Sequence, residues 1–341
     1  MGLLRLVLAL SVLFTHVGSS FLGVRFFDGE LAVDTFFMIS GFYMALILST
    51  RYRGETRAFY FNRFLRLFPS YWILLGITGL SWAVYWSATG RQPNTLYDWH
   101  HYPGGWTAWI AAFFANAFIV GTDALYFIRG GAYSYYLVIP PVWSVAVEIS
   151  FYLFAPIIVR ASFFAQITLF LAGLLLRESL WLTHGSNWSI WTYSFAPATV
   201  PFFMAGILAY RVYERLPRDG PFAPRVRNIG IFSTLALALT ICLQNQFDFL
   251  GAHRWPYYFA AFACMPFVFA ATKSGRIDAF LGQWSYLIYL AHWQVIKLYS
   301  HLEHRLTDSL RIYVILAITL ALAALVRICD IRIQQRFKRR V

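Results

Sequence analysis

The chain has 341 residues, 59% hydrophobic and 13% charged, and its 28 Lys and Arg against 15 Asp and Glu give a formal net charge of +13. A water-soluble domain carries about 25% charged residues, and a disordered chain combines low hydrophobicity with high charge, so a mean hydropathy of +0.57 excludes both. A nucleic-acid partner is excluded as well, because the arginines stand between apolar runs and form no polar basic face. The fold class that remains is an all-α polytopic membrane protein whose surroundings are the lipid bilayer.

A membrane-crossing helix needs about 20 mostly apolar residues. In chain order the candidates are 3–22, 31–50, 69–88, 105–121, 140–159, 163–183, 195–212, 228–246, 256–272, 282–301 and 310–329. The first places Arg5 before an apolar run, as a signal peptide would, but no small-x-small cleavage site follows cleanly. Cys242, Cys264 and Cys329 fall inside apolar runs without metal-ligand spacing, so they read as small buried hydrophobes and no metal is expected.

Basic residues in short connections set orientation. Residues 51–68 carry Arg51, Arg53, Arg57, Arg63 and Arg66, and residues 211–227 carry Arg211, Arg215, Arg218, Arg225 and Arg227 with Glu214 and Asp219. The third basic segment carries Arg327, Arg332, Arg336, Lys338, Arg339 and Arg340 with Asp330, and its part 331–341 is read as a basic tail. All three are expected in the cytoplasm. Five candidates separate the first two basic segments, which is the wrong parity, so one of them does not cross. The segment 105–121 is the weakest, being short, interrupted by Asn116 and flanked by Gly104, Gly105 and Gly121; the alternative is 163–183, which carries Arg177 and Glu178 and whose loss would put Arg160 outside. The expectation is therefore about ten transmembrane helices, both termini cytoplasmic, and an outer segment that re-enters near 105–121.

Ionisable side chains at bilayer depth are costly and usually face an interior cavity. Arg5 and His16 are eleven residues apart, which at about 100° per residue returns to within about 20° of the same helix face, about 16 Å further along. Asp34 precedes Phe36, Phe37 and Ser40-Gly41-Phe42, where the Ser-Gly pair permits close helix approach. Glu148 stands among Trp143, Ser144 and Tyr152, and His292 lies near the centre of its span. Two histidines and two carboxylates together point to an intramembrane polar chamber.

These motifs resemble the membrane-bound acyltransferase-3 family over essentially the whole chain. Arg5 to His16 is similar to its Arg-x10-His first helix, and Val33-Asp34-Thr35-Phe36-Phe37-Met38-Ile39-Ser40-Gly41-Phe42 to its Val-Asp-x-Phe-Phe-x-x-Ser-Gly-Phe element. Arg66-Leu67-Phe68-Pro69-Ser70-Tyr71-Trp72 resembles Arg-x-x-Pro-x-Tyr-Trp, although Asn62 and Phe64 interrupt the arginine run that often precedes it. Trp143 to Tyr152 is similar to Trp-Ser-x-x-x-Glu-x-x-Phe-Tyr, and Ser285 to His292 to Ser-Tyr-x-x-Tyr-Leu-x-His. Residues 1–330 then form a single domain of this kind.

The resemblance implies an O-acyltransferase of the bacterial inner membrane. It would move an acyl group, acetyl by default, from cytoplasmic acyl-CoA to a hydroxyl of a carbohydrate or lipid-linked sugar. Arg5, Arg63 and Arg66 are expected to bind the donor. His16 is expected as the general base, with acyl-histidine as the alternative. Asp34 or Glu148 would orient the imidazole, His292 would face the oxyanion, and Ser40, Trp143, Ser144, Tyr152 and Tyr286 would bind substrate. Some members carry an esterase-like domain after the last span; without one, transfer is direct or uses a separate extracytoplasmic partner. A proton-coupled transporter would use the same intramembrane residues, but would show two corresponding halves.

Overall fold

The computed structural model describes residues 1–18, 28–90, 105–185, 190–217, 220–247, 254–301 and 308–338, and among these there is no strand. The helices are α1 (Gly2–Val17), α2 (Gly29–Ser49), α3 (Thr56–Thr89), α4 (Gly105–Phe118), α5 (Trp143–Arg160), α6 (Phe163–His184), α7 (Ile190–Tyr193), α8 (Ala196–Glu214), α9 (Ala223–Phe247), α10 (Trp255–Thr272), α11 (Arg276–His301) and α12 (Asp308–Lys338). Residues 19–22 of the first expected span, Arg218, Asp219, Arg339, Arg340 and residues 91–104 of the outer segment lie outside the described residues.

Among the described residues seven stretches are long and apolar enough to cross a membrane, and they fall on α2, α3, α5, α6, α8, α9 and α12. The other expected spans overlap α1, α10 and α11, which are not among these seven. At 14 residues α4 is about 21 Å long, short of a hydrocarbon core of about 30 Å.

Two expectations about the basic segments need correction. Arg57, Arg63 and Arg66 do not lie in a loop: they occupy the first turns of α3, which has 34 residues and a length of about 51 Å. Likewise residues 331–338 continue α12, whose 31 residues reach about 46 Å. The physical reason is shared. Arginine and lysine are good helix formers, and a helix already hydrogen-bonded in the bilayer propagates outward into water at little cost.

Two compact units divide the chain, Met1–Thr56 with Glu148–Tyr286, and Arg57–Val147 with Leu287–Val341. In the first, α2 is the central helix and packs on α1, α8 and α10. A Cβ at Gly41 would strike the Phe203 carbonyl of α8, and one at Gly206 would strike the Met38 carbonyl of α2. The two helices therefore touch backbone to backbone, the packing that small residues permit where no hydrophobic effect drives association. Phe203 also stacks on Phe151 of α5, with ring centroids 4.1 Å apart.

In the second unit, Ala108, Ala112 and Ala115 of α4 pack with Leu125, Tyr133, Tyr136 and Leu137 of the 3₁₀ turns that follow. Asn116, the residue that weakened this segment as a span, ties the turns to the helix. Its amide donates to the Tyr136 carbonyl at 3.0 Å, and its oxygen accepts from the Val138 amide at 2.8 Å. Tyr71 donates to the Asn116 carbonyl and Trp72 to the Ala117 carbonyl, so the Tyr-Trp pair of α3 holds the exposed end of α4.

Candidate active site

Arg5 and His16 lie on one uninterrupted helix, α1, and so share a face by its geometry. Between them that face is closed: Ala9 is 0% and Val12 is 2% exposed. Arg5 is half-buried and His16 is exposed, so the stripe opens at its two ends. Gly18, at φ 69°, ends the helix immediately beyond His16 in the left-handed conformation that glycine adopts without strain. At the other end Asp278 caps the helix, accepting from the Gly2 amide at 2.7 Å and the Leu3 amide at 2.9 Å. Burial alone would raise the Asp278 carboxyl, but the hydrogen bonds from the Met1 ammonium, Gly2 and Leu3 outweigh it and hold it below the usual carboxylate range.

Asp28 starts α2 by accepting from the Glu30 and Leu31 amides. A Cβ at Gly29 would sit 3.3 Å from the Thr15 side chain, which places the start of α2 beside the His16 end of α1. Ser40 is eleven residues beyond Gly29, about 16 Å of helix rise. There its hydroxyl donates to Glu148 Oε1 of α5 at 2.5 Å, and Tyr152 donates to the same oxygen. Ser40, Glu148 and Tyr152 are thus brought together, as their separate appearance in the sequence did not require.

Asp34 is fully buried, and its hydrogen bonds come from Arg177 of α6 at 3.0 Å and Tyr258 of α10 at 2.7 Å rather than from an imidazole. Arg177 also lies 3.7 Å from Glu30, donates to the Thr192 carbonyl at 2.7 Å and covers the Phe202 ring at 4.6 Å. Arg254, at the start of α10, pairs with Asp28 and with Glu30, the latter at 3.0 Å. Five charges from α2, its cap, α6 and the start of α10 therefore form one network, three acids against two guanidiniums. Trp255 adds a hydrogen bond to Glu178 at 3.0 Å.

The sequence reading did not include Arg177 or Arg254 in the site. A signal for Arg177 was present. On α6 the buried residues are Gln166, Gly173 and Arg177, seven and four residues apart, so the polar and small side chains form one stripe on a leucine-rich helix. That stripe marks the face turned to protein. No comparable signal precedes Arg254, which follows a stretch without periodicity.

The remaining expected residues belong to the second unit, except Tyr286, which is half-buried in the first. Arg63 and Arg66 are half-buried on α3. Ser144 and Tyr289 share a hydrogen bond of 2.6 Å, and Tyr289 also donates to the Pro141 carbonyl at 2.9 Å. His292 is fully buried with its ring 5.8 Å from that of Tyr289, and Trp143 is buried nearby in sequence to Ser144. Among the described residues no group of three His, Cys, Asp or Glu is placed to hold a metal ion.

The sequence model of the acyltransferase-3 family, described as "Acyltransferase domain", matches residues 1–328. The chain belongs to the acyltransferase-3 family. With its apolar helices, it is an integral membrane protein. Proteins called "Putative O-acetyltransferase" from Staphylococcus aureus strains COL, MSSA476 and N315 are each 27% identical to it over 161 residues. The match covers 46% of this chain and 23% of each relative, so the chain spans under a quarter of the length of the relatives it matches. No solved structure matches this acyltransferase-3 protein.

Proposed function

We propose that the protein moves an acyl group, acetyl in the simplest case, from cytoplasmic acyl-CoA to a hydroxyl of a cell-envelope carbohydrate or lipid-linked sugar. In this reading the chain crosses the inner membrane ten times with both termini inside, and its ionisable residues face an interior polar space. A separate extracytoplasmic partner takes part only where the acceptor is not reached directly.

The observation that supports this reading best is the stripe on α1. Arg5 and His16 are its open ends, with buried Ala9 and Val12 between them, about 16 Å apart. From sulfur to first phosphate the pantetheine arm has the length of four to five extended residues, about 16 Å. Arg5 then meets the phosphate end of the donor while the thioester lies beside His16. Arg63 and Arg66 act on the nucleotide phosphates at the cytoplasmic entrance.

His16 takes the proton of the acceptor hydroxyl as its oxygen attacks the thioester carbonyl. The carbon–sulfur bond breaks, and the thiolate leaves to recover a proton as free coenzyme A. The His16→Gln protein tests this, since glutamine fills a similar volume and hydrogen-bonds but does not take a proton near neutral pH. The expected result is intact coenzyme A binding with transfer reduced by about 10²- to 10⁴-fold. Full activity of the glutamine variant on its envelope acceptor refutes the assignment.

A further inference from the structure

We propose that Glu148, fixed by Ser40 and Tyr152, is the site that grips the donor's pantetheine arm, accepting a hydrogen bond from one of its secondary amides. The proposal rests on the acyl-CoA reading above and names a binding subsite within it.

Three observations carry it. The first is the state of the carboxylate. Both available donors, the Ser40 and Tyr152 hydroxyls, converge on Oε1. Among the described residues Oε2 takes no hydrogen bond, and it is not enclosed, because Glu148 is only half-buried and that oxygen is absent from the buried polar atoms lacking a partner. A carboxylate inside a membrane protein is costly unless its lone pairs are used, so an open oxygen held in a fixed direction marks a place for a donor group.

The second is where that oxygen opens. On α5 the exposed apolar residues are Leu153, Phe154 and Ile157, at 54%, 59% and 72% exposure. At about 100° per residue Glu148 lies about 120–180° around the helix from all three. It shares its face instead with Tyr152 and Ala155, which are 3% and 0% exposed. The opening is therefore turned away from the exposed apolar face of α5, on the side of its buried residues.

The third is depth. With Thr15 beside Gly29, the antiparallel course of α1 and α2 sets Ser40 level with the turn of Arg5, about 16 Å from the His16 end. Side chains on a helix lean toward its N-terminus, so the Arg5 guanidinium reaches further toward the cytoplasmic side, while His16 leans back toward Ser40. An arm stretched from the Arg5 guanidinium to His16 passes the depth of Ser40 and Glu148 between its phosphate and thioester ends, the stretch that holds its two amides. Those amides are donors without charge, and a fixed carboxylate oxygen is a strong acceptor for them.

Fragments of the donor separate this role from the others. Binding of pantetheine and of adenosine 3′,5′-bisphosphate is measured on the full chain in nanodiscs, together with thermal unfolding. Glu148→Gln keeps an oxygen for Ser40 and Tyr152 but turns the open acceptor into an NH₂ donor. The expected result is a loss of pantetheine affinity of about tenfold or more, with bisphosphate affinity and melting unchanged. Tyr152→Phe, which frees the carboxylate without removing it, should give a smaller loss in the same direction. Unchanged pantetheine binding in Glu148→Gln overturns the proposal, as does equal weakening of both fragments in a variant that melts normally. Where Glu148→Gln does not fold, the Tyr152→Phe comparison decides in the same terms. If the unaltered protein binds neither fragment nor coenzyme A, it is the acyl-CoA reading itself that fails.

Discussion

Removing Arg177 leaves Asp34 fully buried with Tyr258 as its one remaining hydrogen-bond donor among the described residues. At a separation of 3.0 Å and an effective dielectric of about 20, the Arg177–Asp34 attraction is about 5 kcal/mol. That attraction offsets a desolvation penalty of several kcal/mol per ion, so the pair as a whole adds little net stability. Breaking it from one side is different, because the surviving charge keeps its penalty; the cost is about 3–5 kcal/mol. Arg177→Met and Asp34→Leu should each lower the thermal midpoint in nanodiscs by several degrees. The double variant should lose less than the sum of the two, since it leaves no unpaired charge between those positions. Arg177→Lys should fall in between, keeping the charge but losing the second arm that reaches the Thr192 carbonyl. Strictly additive losses, or an Arg177→Met protein with an unchanged midpoint, would refute the claim that this pair ties α2 to α6.

Gly41→Ala should destabilise the protein by about 1–3 kcal/mol, seen as reduced midpoint and yield, because the new methyl meets the rigid Phe203 carbonyl. Gly76→Ala, where a Cβ meets nothing within 4 Å, is the control expected to be silent. The Asp278 cap carries a pH dependence of defined sign. Its folded-state pKa is depressed, so its contribution is present above the unfolded value of about 4 and is lost as pH falls through the folded value. Asp278→Asn should cost about 0.5–2 kcal/mol at neutral pH and flatten that acid limb; an unchanged limb in a folded variant contradicts the assignment.

Much of this arrangement was legible in the residues. The Arg5–His16 stripe follows from helix geometry alone, because a spacing of eleven lands on one face whatever surrounds it. The close approach at Gly41 was readable too, since Ser-Gly within an apolar run has few other uses in a membrane helix. Asn116 and its flanking glycines marked α4 as different from its neighbours, and α4 has 14 residues. What the pattern did not carry was partner choice. Asp34 and Glu148 each demanded a donor, but which donor depends on how α6, α10 and α5 pack around α2, and no periodicity along α2 reports that. Arg177 illustrates the limit, for its position within an apolar run read as an obstacle to spanning until α2 supplied the matching acid. The extents of α3 and α12 were missed for another reason: hydropathy ends where the bilayer does, whereas helix hydrogen bonding does not.

The most direct test of the central claim is the sidedness of transfer by the unaltered protein in sealed proteoliposomes. Acetyl-CoA labelled in the acetyl group is enclosed with the cytoplasmic face inward, and the envelope carbohydrate fraction of the producing cell is supplied outside. The account predicts ester-linked label on the outer carbohydrate, with one free coenzyme A released inside for each ester formed. Label that remains on coenzyme A, or that leaves the vesicle without becoming esterified, contradicts it.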